Sequence, residues 1–319
     1  MMVHFILPGD TLQKIAEEIQ LENPAYLKEF HNNHCIKEDF IINDLIPGKK
    51  LLLPDLGRIK TYNSKNDAPF KSPEVNPDIN FNPFHFNQNF KVVFTESKND
   101  EGKISENRFS YVANLKWIKN EFNEHLFHFT KDRFSNLHDT KMEFMAIATF
   151  KSLLPIEIYV NSKGEILRTA LTKQILNNFN EIKAKLSDVF PDQYAEIYLE
   201  EFEYVVLNPD VFDKKMKEDW FLKMYFSSFR NPFRNGKSFF EIFLNQSFVQ
   251  LQQMVEKSDN LEEISLNQFL SNQKEKDFKF NGNLTISKEN GMIKKMNNFY
   301  SYKEYSVEYS TDFSVNEVL

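Results

Sequence analysis

Two Pro-Gly pairs, Pro8-Gly9 and Pro47-Gly48, bracket a short stretch of helical periodicity near the start of this 319-residue chain, and they constrain what that stretch can become. Pro holds φ at about −65° and Gly tolerates positive φ, so each pair marks a tight turn. Val3 to Ile6, before the first pair, and Lys50 to Leu53, after the second, read as short strands, the latter stopping at Pro54. Between them Leu12, Ile15, Ala16 and Ile19 recur at i, i+3, i+4 and i+7, one face of a helix. Asp10 or Thr11 is placed to cap its free N–H groups. Asn23-Pro24 opens a second helix, because Pro in the first helical turn loses no hydrogen bond; Tyr26, Leu27 and Phe30 are its apolar residues. The order is strand, helix, helix, strand. Pro47-Gly48 turns the chain so that the second strand can pair with the first. A two-stranded sheet this small is unstable alone and needs both helices over it.

The character of the chain changes after residue 55. Pro69, Pro73, Pro77 and Pro83 fall among Asn, Ser, Asp and Lys, which predicts an extended linker over residues 56–89. Its end, from Phe81 to Phe90, carries Phe at near-alternate positions and is expected to dock onto the next domain. Residues 90–319 read as that second domain. Lys91 to Glu96 suits a strand, Asn99-Asp100-Glu101-Gly102 a hairpin turn, and Phe109, Tyr111, Ala113, Leu115 and Trp117 alternate with polar neighbours. Leu126 to Phe129 suits another strand, and Thr140 to Leu153 a helix. Ile156, Ile158 and Val160, then Asn161-Ser162-Lys163-Gly164, then Ile166 and Leu167 spell a hairpin. Residues 171 to about 257 read as mainly helical, ending on a face of Phe248, Leu251, Met254 and Val255. Strand patterns return at Phe278 and continue to Tyr309. The expected fold is α+β: a small N-terminal βααβ module in residues 1–55, a Pro-rich linker, and an α+β domain whose antiparallel sheet takes strands from both sides of a central helical segment.

Formal net charge is −7 and the isoelectric point about 5.6, which speaks against general nucleic-acid binding, since that wants a basic face against phosphates. Hydrophobic residues make up 41% of the chain, enough for a sizeable core. The 33 Phe, with frequent Asn, Lys and Ile, match the codon bias of an AT-rich genome. A single cysteine, Cys35, forms no intramolecular disulfide and permits a reducing compartment. No signal-peptide pattern and no membrane-spanning run is found, so a cytoplasmic protein is expected, with any export by a non-Sec route.

The N-terminal pattern resembles the LysM motif. Its elements read here as His4-Phe5-Ile6, Gly9-Asp10-Thr11-Leu12, Ile15-Ala16, Asn32 or Asn33, Pro47-Gly48 and Leu51-Leu52-Leu53-Pro54. The resemblance covers about one-sixth of the chain and implies a shallow sugar groove. One wall would be Gly9, Asp10, Thr11 and Leu12, the other Leu45, Ile46, Pro47 and Gly48. The implied partner is peptidoglycan or another polymer of N-acetylglucosamine. LysM-like modules also occur in baseplate and spike-hub proteins of contractile injection machines, which makes protein components of such a machine the alternative. The stretch from Asn33 to Pro47 is longer than usual for the motif and holds Phe40, Ile41 and Ile42, a candidate protein-docking surface. Arg230, Phe233 and Arg234 form a second candidate of that kind, since Arg and aromatic residues anchor interfaces.

Other constellations are weaker. His31, His34 and Cys35 lie together but lack a fourth metal ligand at standard spacing, and read as a solvent-exposed helix end. His125 and His128 should point to opposite faces of a strand, and His138 comes after them. Acidic pairs such as Glu200-Glu201 and Glu262-Glu263 have no context that marks a glycosidase. No nucleophile elbow, Walker loop or zinc-protease helix is found. The expected role is therefore non-catalytic binding, without a cofactor.

Overall fold

The computed structural model describes residues 2–135, 140–245, 247–257, 260–271 and 278–318. The chain divides into two compact units, one of Met1–Pro77 with Arg234–Gly236, the other of Asp78–Phe233 with Lys237–Leu319.

In the first unit β1 (Met2–Phe5) is followed by α1 (Leu12–Glu18), α2 (Ala25–His34), a 3-10 turn at Lys37–Asp39, and β2 (Lys50–Leu53). The strands pair antiparallel, from Met2 opposite Leu53 to Phe5 opposite Lys50. Thr11 caps α1, its side chain accepting from Lys14 N at 3.1 Å. Ile6, Ile15, Leu27 and Leu51 meet in one small core, and Ile59 joins them. Ile59 belongs to α3 (Leu56–Asn63), a helix that stands where an extended linker was expected. Asp55 starts it by accepting from Arg58 N at 3.0 Å. Asn63 then ties it down: its Oδ1 accepts from Glu22 N at 3.0 Å and its Nδ2 donates to Gln20 O at 2.9 Å. Tyr62 stacks on Tyr26 with ring centroids 4.5 Å apart. Proline begins only at Pro69, so nothing in residues 56–63 prevents a helix, and Ile59 and Tyr62, three apart, give it a face to bury.

The second unit is built on one sheet. Its strands are β3 (Asn87–Asp100), β4 (Lys103–Glu121), β5 (Glu124–Ser135), β6 (Ile156–Val160), β7 (Ile166–Leu171), β8 (Ser238–Leu244), β9 (Ser247–Glu256), β10 (Glu263–Leu270), β11 (Phe278–Ser287), β12 (Ile293–Glu304) and β13 (Val307–Val318). Among the described residues the strand order is β7-β6-β5-β4-β3-β13-β12-β11-β10-β9-β8, antiparallel throughout. Two meanders are thus joined by pairing of β3 with β13, from Val307 opposite Asp100 to Val318 opposite Asn89. Strands from both ends of the unit do share one antiparallel sheet.

One face of that sheet is buried. Phe90, Val92 and Phe94 on β3, Tyr111, Ala113 and Leu115 on β4, and Phe313 and Val315 on β13 all point to it. The helices α4 (Lys141–Ser152), α5 (Lys173–Asn177), α6 (Phe179–Val189), α7 (Gln193–Leu207), α8 (Pro209–Lys217) and α9 (Trp220–Tyr225) supply its cover. In α9, Phe221 stacks on Phe129 at 5.6 Å, Tyr225 meets Phe90 at 5.3 Å, and Trp220 meets Phe94 at 5.6 Å. Asp219 anchors this helix twice, capping it through Leu222 N at 3.2 Å and pairing with the buried Lys131 on β5. Phe86 and Phe81 pack against this core, in keeping with the docking expected for that segment.

The helical expectation fails from residue 238 onward. Phe248, Leu251, Met254 and Val255 lie on the strand β9, and β10, for which no expectation was drawn, alternates Ile264, Leu266 and Gln268 on its buried face. Spacings of three and four fit a helix, but the buried set here is Val249, Leu251 and Gln253, the alternation of a strand. Polar residues inside that set hid the pattern. Ser238, Gln253, Gln268, Gly282 and Asn298 stand opposite one another in a single row across β8 to β12. All four side chains of the row are buried, and Gln268 Nε2 donates to Gln253 Oε1 at 3.2 Å.

Candidate functional site

The two Pro-Gly pairs come together. In the turn Leu7–Asp10, Asp10 N donates to Leu7 O at 3.1 Å; in the turn Ile46–Lys49, Lys49 N donates to Ile46 O at 3.2 Å. Gly48 N donates to Ile6 O at 2.8 Å and Ile6 N to Lys49 O at 3.0 Å, so both turns stand at the same end of the β1–β2 ladder. Gly9 has φ +89° and Gly48 φ +87°, conformations that demand glycine. A Cβ on either would meet nothing within 4 Å. Glycine is therefore required by backbone geometry and not by crowding, and the Cβ side of each glycine faces open space.

Of the eight residues expected to line a groove here, Gly9, Thr11, Ile46, Pro47 and Gly48 are exposed, while Asp10, Leu12 and Leu45 are half-buried. Leu7 is 60% exposed and Ile46 56%, so an apolar side chain stands on each turn. Asp10 is committed to the fold: Oδ2 accepts from His4 Nε2 at 2.8 Å and from Leu7 N at 2.9 Å. These bonds, His4 first, hold its carboxyl down to about 2. The partners cover its side chain to 5% exposure, and the desolvation this brings opposes the shift without cancelling it. The role of His4 as this partner is not legible in the chain; the contact spans six residues and obeys no helical or strand period.

The stretch from Cys35 to Ile46 is fastened by side chains of α2. Asn32 Oδ1 accepts from Ile41 N at 2.9 Å and Nδ2 donates to Ile41 O at 3.1 Å. His31 is buried, not solvent-exposed as its place at a helix end suggested. Its Nδ1 accepts from Leu52 N at 3.0 Å, which leaves Nε2–H to donate to Asp39 O at 3.0 Å. Both ring nitrogens are used by backbone, and His34 Nδ1 bonds Phe30 O within its own helix. Ile41, expected on a docking surface, is 6% exposed and belongs to the core. Ile36, Phe40, Ile42 and Ile46 remain exposed on the pinned stretch.

The second expected docking cluster comes apart. Arg230 is buried and donates to Gly291 O from Nε at 3.1 Å and from Nη2 at 2.8 Å, with the rings of Phe229 and Phe81 against it at 4.1 and 4.7 Å. Burial pulls the guanidinium down to about 9, still cationic at neutral pH. Phe233 is buried in the large core, and only Arg234 is exposed. Both Arg230 and Phe233 hold loops in place and offer nothing to a partner. His125 and His128 do point to opposite faces: His125 is buried and accepts from Trp117 Nε1 at 3.2 Å, while His128 is half-buried on the other side. His138 lies outside the described residues. Among the described residues no group of three or more His, Cys, Asp or Glu could hold a metal ion, and no helix is long and apolar enough to cross a membrane.

No protein-family model and no curated protein matches the chain. Solved structures match it over much of its length at very low identity. Rv2717c from M. tuberculosis is 6% identical over 72% of this chain and 91% of that one, with a TM-score of 0.21. The ywiB protein from Bacillus subtilis is 6% identical over 73% and 94%, with a TM-score of 0.14. A DUF1329 family protein from Desulfovibrio piger is 8% identical over 72% and 86%, with a TM-score of 0.18. Likenesses this distant have no bearing on function.

Proposed function

We propose that residues 3–54 are a LysM-like module that binds a polymer of N-acetylglucosamine, such as peptidoglycan, without catalysis. The observation that carries this reading is the pair of Pro-Gly turns, each with an open glycine, at one end of the β1–β2 ladder, joined through Ile6. Open glycine backbone in both turns, beside two exposed apolar side chains, suits a ligand that alternates amides, hydroxyls and C–H faces. The test is titration of the protein with N-acetylglucosamine oligomers, followed by NMR shifts of residues 7–12 and 45–48. Affinity should rise with oligomer length and reach roughly the micromolar to millimolar range, about −4 to −8 kcal/mol. Salt should change it little, because the ligand is neutral. Ile46→Arg should abolish the shifts without unfolding the unit. Thr11 is the poorer position to alter, because it caps α1. Unmoved resonances at millimolar pentamer would sink the proposal.

A second reading takes its support from the exposed Ile36, Phe40 and Ile42 on the pinned stretch. Under it the unit docks onto a protein of a contractile injection machine. Co-purification with tube or baseplate proteins, lost in Ile42→Asp, is the result that would favour it over sugar binding.

A further inference from the structure

The eleven-stranded sheet has two edges, and they are treated differently. At β7 two backbone groups are taken from outside the sheet: Thr169 N donates to Asp213 Oδ1 at 2.7 Å, and Lys217 Nζ donates to Leu167 O at 2.8 Å. Both partners come from α8, which covers part of that edge and hinders further pairing.

At β8, among the described residues, no strand or helix covers the edge. Leu244 stands opposite Ser247 as the pair that closes the hairpin, so that pair is hydrogen-bonded, and with it Ile242, Phe240 and Ser238 bond toward β9. The N–H and C=O groups of Phe239, Glu241 and Phe243 must then point away from the sheet. Asn231 Nδ2 donates to Phe239 O at 2.9 Å, which agrees with that direction and occupies one acceptor. The strand holds no Pro, Lys or bulge that would discourage pairing. Phe239 and Phe243 are each 45% exposed, and Phe248 on β9 lies against Phe243 at 5.1 Å and is 73% exposed. Glu241, between the two Phe, has no ion-pair partner among the described residues.

We propose that β8 is a strand-addition site for an extended peptide segment that carries a basic side chain between two apolar ones, at i, i+2 and i+4. Among the described residues, the Phe239 N–H and the backbone groups of Glu241 and Phe243 are left to an incoming strand, and the three side chains flank its own. Main-chain bonds give the affinity, and the row Phe239, Glu241, Phe243 sets the preference for apolar, basic, apolar. The inference is independent of the sugar reading, which concerns the other unit.

The experiment is hydrogen exchange of residues 238–244 in the full-length protein, with and without the peptide Thr-Val-Thr-Lys-Thr-Val-Thr. Exchange of the Glu241 and Phe243 amides should slow at least tenfold at saturating peptide. The same peptide with Glu for Lys should bind about two- to fivefold more weakly, the scale of one cross-strand charge pair. That preference should invert in Glu241→Lys. Unchanged exchange at millimolar peptide, or a preference that Glu241→Lys leaves as it was, overturns the proposal. Protection of β8 that grows with protein concentration alone also overturns it, because a second copy would then close this edge.

Discussion

Asn32 grips the peptide of Ile41 at both ends, accepting from its N–H at 2.9 Å and donating to its C=O at 3.1 Å. One side chain thus does for the stretch after α2 what a neighbouring strand would do. It orients Ile41 into the core and leaves Phe40 and Ile42 outside. Asn32→Leu removes both bonds and leaves two backbone groups in search of water, so the first unit should lose about 1–3 kcal/mol. Denaturant titration measures the loss, and the Ile41 amide should exchange faster. Ile42→Ser, at an exposed position, should leave stability within about 0.5 kcal/mol.

Acid should act on the first unit through Asp10. Its folded pKa lies near 2, below the ordinary 3.8, because His4 and Leu7 bond the ionised form. A depressed acid stabilises the fold above its ordinary value, and that contribution disappears as pH falls from there toward 2. The Asp10 carboxyl carbon, followed by NMR, should titrate near 2 in the native protein and closer to 3.8 in His4→Ala. In Asp10→Asn the unit should be less stable at about pH 6 and should lack this part of the acid transition.

Arg230 and Arg234 separate a structural arginine from a surface one. Arg230→Lys cannot reproduce a guanidinium that sends two N–H groups to one carbonyl, and it should cost the second unit about 1–3 kcal/mol. Arg234→Ala, at an exposed position, should change stability by less than about 0.5 kcal/mol. Equal effects in thermal or denaturant unfolding would mean that Arg230 is not buried as the carbonyl contacts require.

The boundary of the first unit can be tested at Ile59. This side chain is 4% exposed in the small core, so Ile59→Ala should destabilise that core by about 2–5 kcal/mol. A fragment ending at residue 55 should unfold with lower cooperativity than one ending at residue 77, since it lacks Ile59 and the two bonds from Asn63. Matching unfolding curves for the two fragments would show that α3 adds nothing to the core.

What the sequence determined by itself was local. The Pro-Gly turns, the helix starting at Thr11, the capped helix after Thr140 and the hairpin around Asn161 arise from backbone preferences that act over a few residues. The alternation in β4 was equally plain, because one face of that strand is apolar and the other is not. Tertiary structure decided the rest. Gln253 on β9 and Gln268 on β10 are polar yet buried, because each finds a partner across the sheet, and no period along the chain can announce a partner fifteen residues away. Ile59 reads as part of a linker until α1 and α2 are in place to receive it. Arg230 and Phe233 have the composition of an interface, but burial under the chain's own loops assigned them to the interior. The edge at β8 likewise exists only once the order of eleven strands is settled, since any strand is an edge until another pairs with it.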